Sequence, residues 1–125
     1  MTFRSPIPEV SIPARPFSDF VFAGVADRAD RPAFIDGPTG RTLTHGEVYR
    51  DARRVAASLV RSGWRKGDVL AICCPNVPEY PVAFHGAAMA GGAVTTANPL
   101  LTVEELASQL GDARARFLLT AAPVL

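Results

Sequence analysis

The chain has 125 residues, 48% of them hydrophobic, with 13 basic against 12 acidic side chains and a formal net charge of +1. That is one domain's worth of chain with enough apolar material for a core, and the near-balanced charge argues against a nucleic-acid binder or a polybasic membrane tether. The two cysteines, Cys73 and Cys74, are adjacent; neighbouring α-carbons lie about 3.8 Å apart, under the disulfide span of about 4.4 to 6.8 Å, so reduced thiols and a cytoplasmic setting are expected.

The opening stretch MTFRSPIPEVSIPARPFSDF has no apolar h-region and is broken by Pro6, Pro8, Pro13 and Pro16, which speaks against a secretory signal. Residues 1–17 read as an extended arm, because proline fixes φ and withholds backbone donors. Residues 18–32 are expected to hold one short helix, Ser18 to Ala29, with Ser18 or Asp19 as N-cap, Phe22, Val25 and Ala26 on one face, and Arg31-Pro32 as its stop. Residues 33–44 place short β-prone runs on either side of Gly37-Pro38-Thr39-Gly40, the turn chemistry of a β-hairpin.

Residues 45–125 read as an αβ segment. Val48, Ala52, Val55, Ala56, Leu59 and Val60 recur at helical spacing, while Glu47, Arg50, Asp51, Arg54 and Arg61 face away. Thr44-x-x-Glu47 is a capping box and Gly63 a natural stop. The apolar run Val69 to Cys74 is expected to be a strand covered on both faces of a parallel sheet. A helix over Pro78 to Ala90 follows, with Pro81 deep enough to leave one carbonyl unpaired. Next come a strand over Ala93 to Ala97 and the turn Asn98-Pro99. A helix opened by the capping box Thr102-x-x-Glu105 is expected to bury Val103, Leu106, Ala107 and Leu110, and a strand over Arg116 to Thr120 ends the pattern. The order β-α-β-α-β-α-β from residue 41 calls for a mainly parallel sheet with right-handed crossovers and flanking helices.

No residue set reads as catalytic, cofactor-binding or metal-binding on its own. Phosphate loops run strand, glycine loop, helix, because the anion sits at the helix N-terminus; Gly91 and Gly92 instead follow a helix and precede a strand, where glycine caps. His85 lacks a histidine, acidic or thiol companion at ligand spacing and reads as a buried histidine donating to a backbone carbonyl; His45 reads as exposed. Cys73 and Cys74 point to opposite strand faces and read as inert thiols. Glu104 and Glu105 read as capping carboxylates, and Arg61, Arg65 and Lys66 as a solvated helix end. The least polar stretch, Val82 to Ala97, is shorter than the about 20 residues of a membrane span. From Val82 to Ala90 the one strongly polar side chain is His85, so this helix must be covered all round. One sheet covers one side, which leads to the expectation of a missing partner layer against helix 78–90.

The succession "FRSPIPEVSIP", "RPAFIDGPTGRTLTHGEV", "ARRVAASLVRSG", "KGDVLAICCPNVPEY", "FHGAAMAGGAVTTANP" and "TVEELASQL" resembles the N-terminal quarter of 4-coumarate:CoA ligases, in the adenylate-forming acyl-CoA synthetase superfamily. The resemblance implies that residues 1–125 are the N-terminal portion of an AMP-binding (adenylation) domain, truncated at the C-terminus. It implies a parent enzyme that uses ATP and Mg²⁺ to make an acyl-AMP and passes the acyl group to CoA. The family's phosphate loop, ribose-binding Asp and late catalytic Lys find no counterpart here, so the segment is expected to be scaffold, with the remainder of the domain or a second subunit as partner against helix 78–90. The alternatives are a free-standing, non-catalytic interaction module using helix 78–90 and, less well supported, a flavodoxin-like nucleotide binder, which the absence of a glycine-rich anion loop disfavours.

Overall fold

The computed structural model describes residues 5–121; positions 1–4 of the expected arm and 122–125 of the αβ segment lie outside them. Through residue 16 the arm is irregular and exposed. Helix α1 (Phe17–Val21) follows, then a 3-10 turn (Val25–Arg28). The single helix expected over 18–29 is therefore two pieces, separated where Gly24 takes a left-handed φ of 69° that other residues seldom adopt. The N-cap is Pro16, whose carbonyl accepts from the Phe20 amide at 3.0 Å. Ser18 cannot cap because its hydroxyl is engaged by His85 at 3.1 Å, which corrects the expected Ser18 or Asp19 cap. Phe22 and Val25 are half-buried, whereas Ala26 is exposed.

Strands β1 (Pro32–Ile35) and β2 (Thr42–Thr44) form the antiparallel hairpin, with Phe34 opposite Leu43 and Ile35 opposite Thr42. Helix α2 (His45–Arg61) opens with both halves of its capping box: the Glu47 amide donates to Thr44 Oγ1 at 3.2 Å and the Thr44 amide to Glu47 Oε2 at 2.8 Å. Two more first-turn donors are satisfied by the preceding loop, His45 N to Arg31 O and Gly46 N to Ala29 O. That contact leaves the His45 residue half-buried rather than exposed. Val48 and Ala52 are buried and Val55, Ala56 and Leu59 half-buried, but Val60 is 56% exposed. At about 100° per residue, Val60 sits roughly 100° around the helix from the Val48–Ala52–Val55–Leu59 line, outside the contact face.

Strand β3 (Val69–Cys73) is the centre of a three-stranded parallel sheet, with β4 (Ala93–Thr96) on one side and β5 (Phe117–Thr120) on the other. Leu70 is opposite both Val94 and Phe117. Strand β2 pairs with β1 and stays out of this sheet. Helix α3 (Tyr80–Met89) connects β3 to β4 and helix α4 (Val103–Asp112) connects β4 to β5. These crossovers run in opposite directions across β3, and right-handedness places their helices on opposite faces. Side chains agree: Val94 joins the core under α3, whereas Thr95, its neighbour on the other face, meets Gln109 of α4 at 3.3 Å.

Pro81 leaves nothing unpaired. The helix begins at Tyr80, so Pro81 is at its second position, and the Val77 carbonyl is taken by the Tyr80 amide at 2.9 Å. At the other end Gly91 closes α3 in a left-handed conformation, φ 78°, with Gly91 N on Ala88 O and Gly92 N on Ala87 O. The Thr102/Glu105 capping box of α4 forms as read. Its expected buried face does not: Val103 is 81% exposed, Ala107 is exposed, and Leu106 and Leu110 are half-buried. This helix meets β4 through a polar link, Gln109 Nε2 to Thr96 O at 2.8 Å, and not through a broad apolar stripe.

The core gathers Trp64, Leu70, Ile72, Cys74, Ala83 and Ala87, with Val94, Phe117 and Leu119 packed against it. Trp64 donates Nε1–H to Ala90 O at 3.2 Å and lies so close to Gly92 that a Cβ there would meet the indole at 2.0 Å. Helix α3 is covered within the chain, contrary to the expectation that nothing in these residues could do so. Val82, Ala83, Gly86 and Ala87 are buried and the rest of the helix is at least half-buried. The surface over Gly86 is α2: a Cβ on Gly86 would stand 2.5 Å from Val55 Cγ1 and 3.0 Å from the Ala52 carbonyl oxygen.

Two predictions follow from this packing. Gly86→Ala gains about 1 kcal/mol in helix propensity, but the methyl must displace a β-branched side chain and press on backbone. The net expectation is a loss of about 1–3 kcal/mol, read from urea denaturation, with Val55→Ala giving back about 1 kcal/mol in the double mutant. Cys73 and Cys74 are both buried, and burial, reinforced by the neighbouring Cys73, pushes the Cys74 thiol up. Neither thiol should react with a disulfide reagent in the folded chain, and both should react in denaturant.

Candidate functional site

In an open parallel sheet, ligands collect outside the C-terminal strand ends where the strand order reverses. Here that point lies between β3 and β5, and the segment leaving β3 is Cys74-Pro75-Asn76-Val77-Pro78. It contains no glycine, and its two prolines have no N–H to offer an anion. Helix α3, which starts beyond it, has Glu79 at its N-cap. That carboxylate is held in two-point contact by Arg41 of the hairpin, one arm being Nη2 to Oε2 at 2.7 Å. The guanidinium hydrogen bonding keeps the Glu79 carboxyl below its ordinary range; the carboxylate is turned to Arg41 and makes no cap hydrogen bond to the helix.

The other long helices are capped differently. Glu47 caps α2 and Glu105 caps α4, each with its own threonine. The Glu47 carboxyl is held low mainly by the Thr44 amide. A helix N-terminus binds phosphate through unpaired amides and a positive dipole end; at α2 and α4 the Thr/Glu capping boxes take up part of that capacity, whereas the Glu79 side chain makes no cap hydrogen bond to α3. Among the described residues no group of three or more His, Cys, Asp or Glu side chains could hold a metal ion.

A cleft of about 710 Å³ at the C-terminal ends of β3 and β4 is lined by Cys74, Asn76, Tyr80 and Thr96, and two others adjoin the same elements. One, of about 390 Å³, lies between Phe34 and Ile35 of β1, the turn Asp36-Gly37-Pro38 and the Asn76–Pro81 segment. Its walls are largely apolar and proline-rich, and its carboxylate, Asp36, is already bonded by the Thr39 hydroxyl. The second, of about 470 Å³, lies between α1, α2 and the end of α3, with Asp19, Tyr49 and Arg53 on its walls. Neither brings a nucleophile and a base together.

One Ser–His pair does form. Ser18 Oγ and His85 Nδ1 are 3.1 Å apart although 67 residues separate them in sequence. Ser18 is 3% exposed at the wall of the cleft between α1, α2 and the end of α3, and no carboxylate orients the imidazole. The ring is stacked on Phe17 at 5.5 Å and met edge-on by Phe22 at 4.8 Å and Phe84 at 5.5 Å. From sequence a buried His85 donating to a backbone carbonyl is expected; the residue is instead half-buried among aromatic rings and its partner is a hydroxyl. Sequence offered no signal for the pair, nor for Arg41 with Glu79 across 38 residues.

The remaining singled-out groups take structural positions. Glu104 is exposed in the first turn of α4, and Arg61, Arg65 and Lys66 are exposed at the end of α2 and beyond it. At the N-terminal ends of the strands, Asp68 accepts from the Arg65 amide and from Arg116 Nη1, both at 2.7 Å, which holds its carboxyl low and ties β3 to β5. No helix among the described residues is long and apolar enough to cross a membrane.

Comparison with known proteins gives this fold its context. The chain is 40% identical over 119 residues to 4-coumarate–CoA ligase 3 of Arabidopsis thaliana and 43% identical over 119 residues to 4-coumarate–CoA ligase 5 of Oryza sativa subsp. japonica. Each match covers 94% of this chain but 21% and 22% of the relative, so the chain spans about a fifth of their length. Its fold superposes on a benzoate CoA ligase from Burkholderia xenovorans with a TM-score of 0.82 and 31% identity, covering 88% of this chain and 22% of that one. On a nonribosomal peptide synthetase the TM-score is 0.84 at 27% identity, covering 93% and 13%. The AMP-binding enzyme profile matches residues 21–125. The chain, with its parallel β4-β3-β5 sheet and carboxylate-capped helices, therefore belongs to the AMP-binding enzyme family.

Proposed function

We propose that this chain serves as a scaffold segment of an ATP-dependent carboxylate:CoA ligase acting on 4-coumarate or a related aryl or acyl acid. The observation that carries the reading is the 40–43% identity to plant 4-coumarate–CoA ligases over 94% of the chain. ATP, with Mg²⁺, would supply the adenylate that activates the acid, and CoA the accepting thiol. No step is assigned to residues of this chain. What the segment contributes is a rigid layer on which the rest of an adenylation domain is built.

The partner in this reading is the remainder of that domain, about four-fifths of a full-length relative. Its expected position against helix 78–90 is narrowed by the cover that α2 already gives Gly86. Surfaces left for it are apolar side chains that the chain itself does not bury: Leu118 on the edge strand β5, and Phe34 and Ile35 on the hairpin. A free-standing module that presents helix 78–90 as its binding face finds no support, since no residue of α3 is exposed.

Two assays separate the readings. The 125-residue chain alone should catalyse no carboxylate-dependent exchange between ATP and pyrophosphate; exchange with 4-coumarate would overturn the scaffold assignment. Replacing the matching fifth of the Arabidopsis ligase with this chain should restore exchange with 4-coumarate. A folded but inactive chimera would sink the proposed place in a coumarate ligase.

A further inference from the structure

We propose that His85 and Ser18 form an acid-operated latch, which holds α1 and the proline arm on α3 and releases them when the imidazole becomes an imidazolium.

Little else holds α1 down. The helix has five residues and no side-chain cap, the arm before it is exposed from residue 5 to 16, and Phe17 and Phe20 are themselves about half exposed. Its inward contacts are concentrated on one side chain: Phe17 stacks on His85 and meets Phe84 edge-on at 6.3 Å, and Ser18 bonds the imidazole. Phe22, just beyond α1, closes the third side of the ring and leans on Tyr49 of α2 at 5.2 Å.

The latch takes the neutral ring with its proton on Nε2, so that Nδ1 accepts from the Ser18 hydroxyl across the 3.1 Å contact; in that tautomer protonation reverses the bond. An imidazolium has two N–H donors and no acceptor, so Ser18 Oγ must turn to accept. Its own hydrogen is then left in a site 3% exposed, and among the described residues the Ser18 side chain has no second hydrogen-bond partner. The new charge meets three phenyl rings and no carboxylate. Stacking on Phe17 returns part of the lost hydration through a cation–π contact, but opening α1 returns water to the ring and frees the hydroxyl together.

Ionisable groups on the surrounding elements do not offset this. Arg15 of the arm lies over Phe20, Arg28 of the 3-10 turn donates to Val21 O, and Arg53 of α2 lies over Tyr49. Asp19 of α1 lines the neighbouring cleft with Tyr49 and Arg53, and Tyr80 is α3's other ionisable group. Burial is the cause that lowers the His85 pKa, with no compensating charge. The sign follows: the latched state binds the proton more weakly than the open one, whose histidine has an ordinary pKa of about 6.5. The latch is at full strength above about pH 6.5 and weakens as pH falls from there to the lowered value, by about tenfold per unit.

The test is amide hydrogen exchange by NMR on the full chain, corrected for the intrinsic pH dependence of exchange, with the His85 ring titrated in the same samples. Protection of the Phe20 and Phe22 amides, which bond Pro16 O and Ser18 O, should fall up to tenfold per unit below pH 6.5, while β3 amides keep theirs. His85→Asn cannot ionise and should abolish that pH dependence whatever its baseline. Ser18→Ala should lower α1 protection several-fold at neutral pH. Three results would each overturn the latch: α1 protection flat through the His85 titration, a pH dependence that persists in His85→Asn, or loss of β3 protection in step with α1.

Discussion

Everything in this fold is positioned by the approach of α2 to α3 at Gly86. Helix α3 is apolar nearly all round, so it must be covered on the sheet side and on the side away from it. The sheet side is met by Ala83 and Ala87 over Leu70 and Ile72. The outer side is met by α2, whose Ala52 has no exposed surface and whose Val55 occupies the space a side chain at position 86 would need. Small residues on both helices allow the two backbones to come close, and dispersion contacts multiply at that distance. Trp64 then fills the end of the layer, lying against Gly92 and bonding Ala90.

That close packing explains where the polar groups are. With the interior taken up by small apolar side chains, carboxylates and guanidiniums are confined to element ends, where they terminate helices and tie neighbouring segments. Arg41 with Glu79 joins the hairpin to the start of α3; Asp68 with Arg116 joins β3 to β5 at the opposite end. These pairs are largely exposed, so each contributes little on its own; their effect is to fix register and angle.

Local features were legible from sequence because their causes are local. The capping boxes at Thr44 and Thr102 and the glycine stops after α2 and α3 are encoded within four or five residues, and the uninterrupted VLAIC run could only be a strand buried on both faces. What escaped the sequence depends on pairs distant in the chain. The periodicity of α2 marked Val55 as inward-facing but could not say that its neighbour was Gly86, so α3 looked uncovered. Ser18 looked like an N-cap because serine before a helical run usually is one; its hydroxyl was claimed instead by a histidine 67 residues away. Helix α4 had the right period for a buried stripe, yet period states only which residues share a face, not how much surface lies opposite it.

The two layers of the chain also differ in how firmly they are held. Strand β3 hydrogen-bonds on both sides and its side chains are almost entirely buried, so its opening requires the sheet to come apart. Helix α1 is five residues long and rests on a few aromatic contacts and one side-chain hydrogen bond. Segments with few buried apolar contacts and short hydrogen-bond ladders open at low cost while the rest remains folded. An ionisable ring at the centre of such a contact therefore acts first on the segment it holds. Placing a half-buried imidazole under a weakly held element is what makes a local response to acid separable from unfolding.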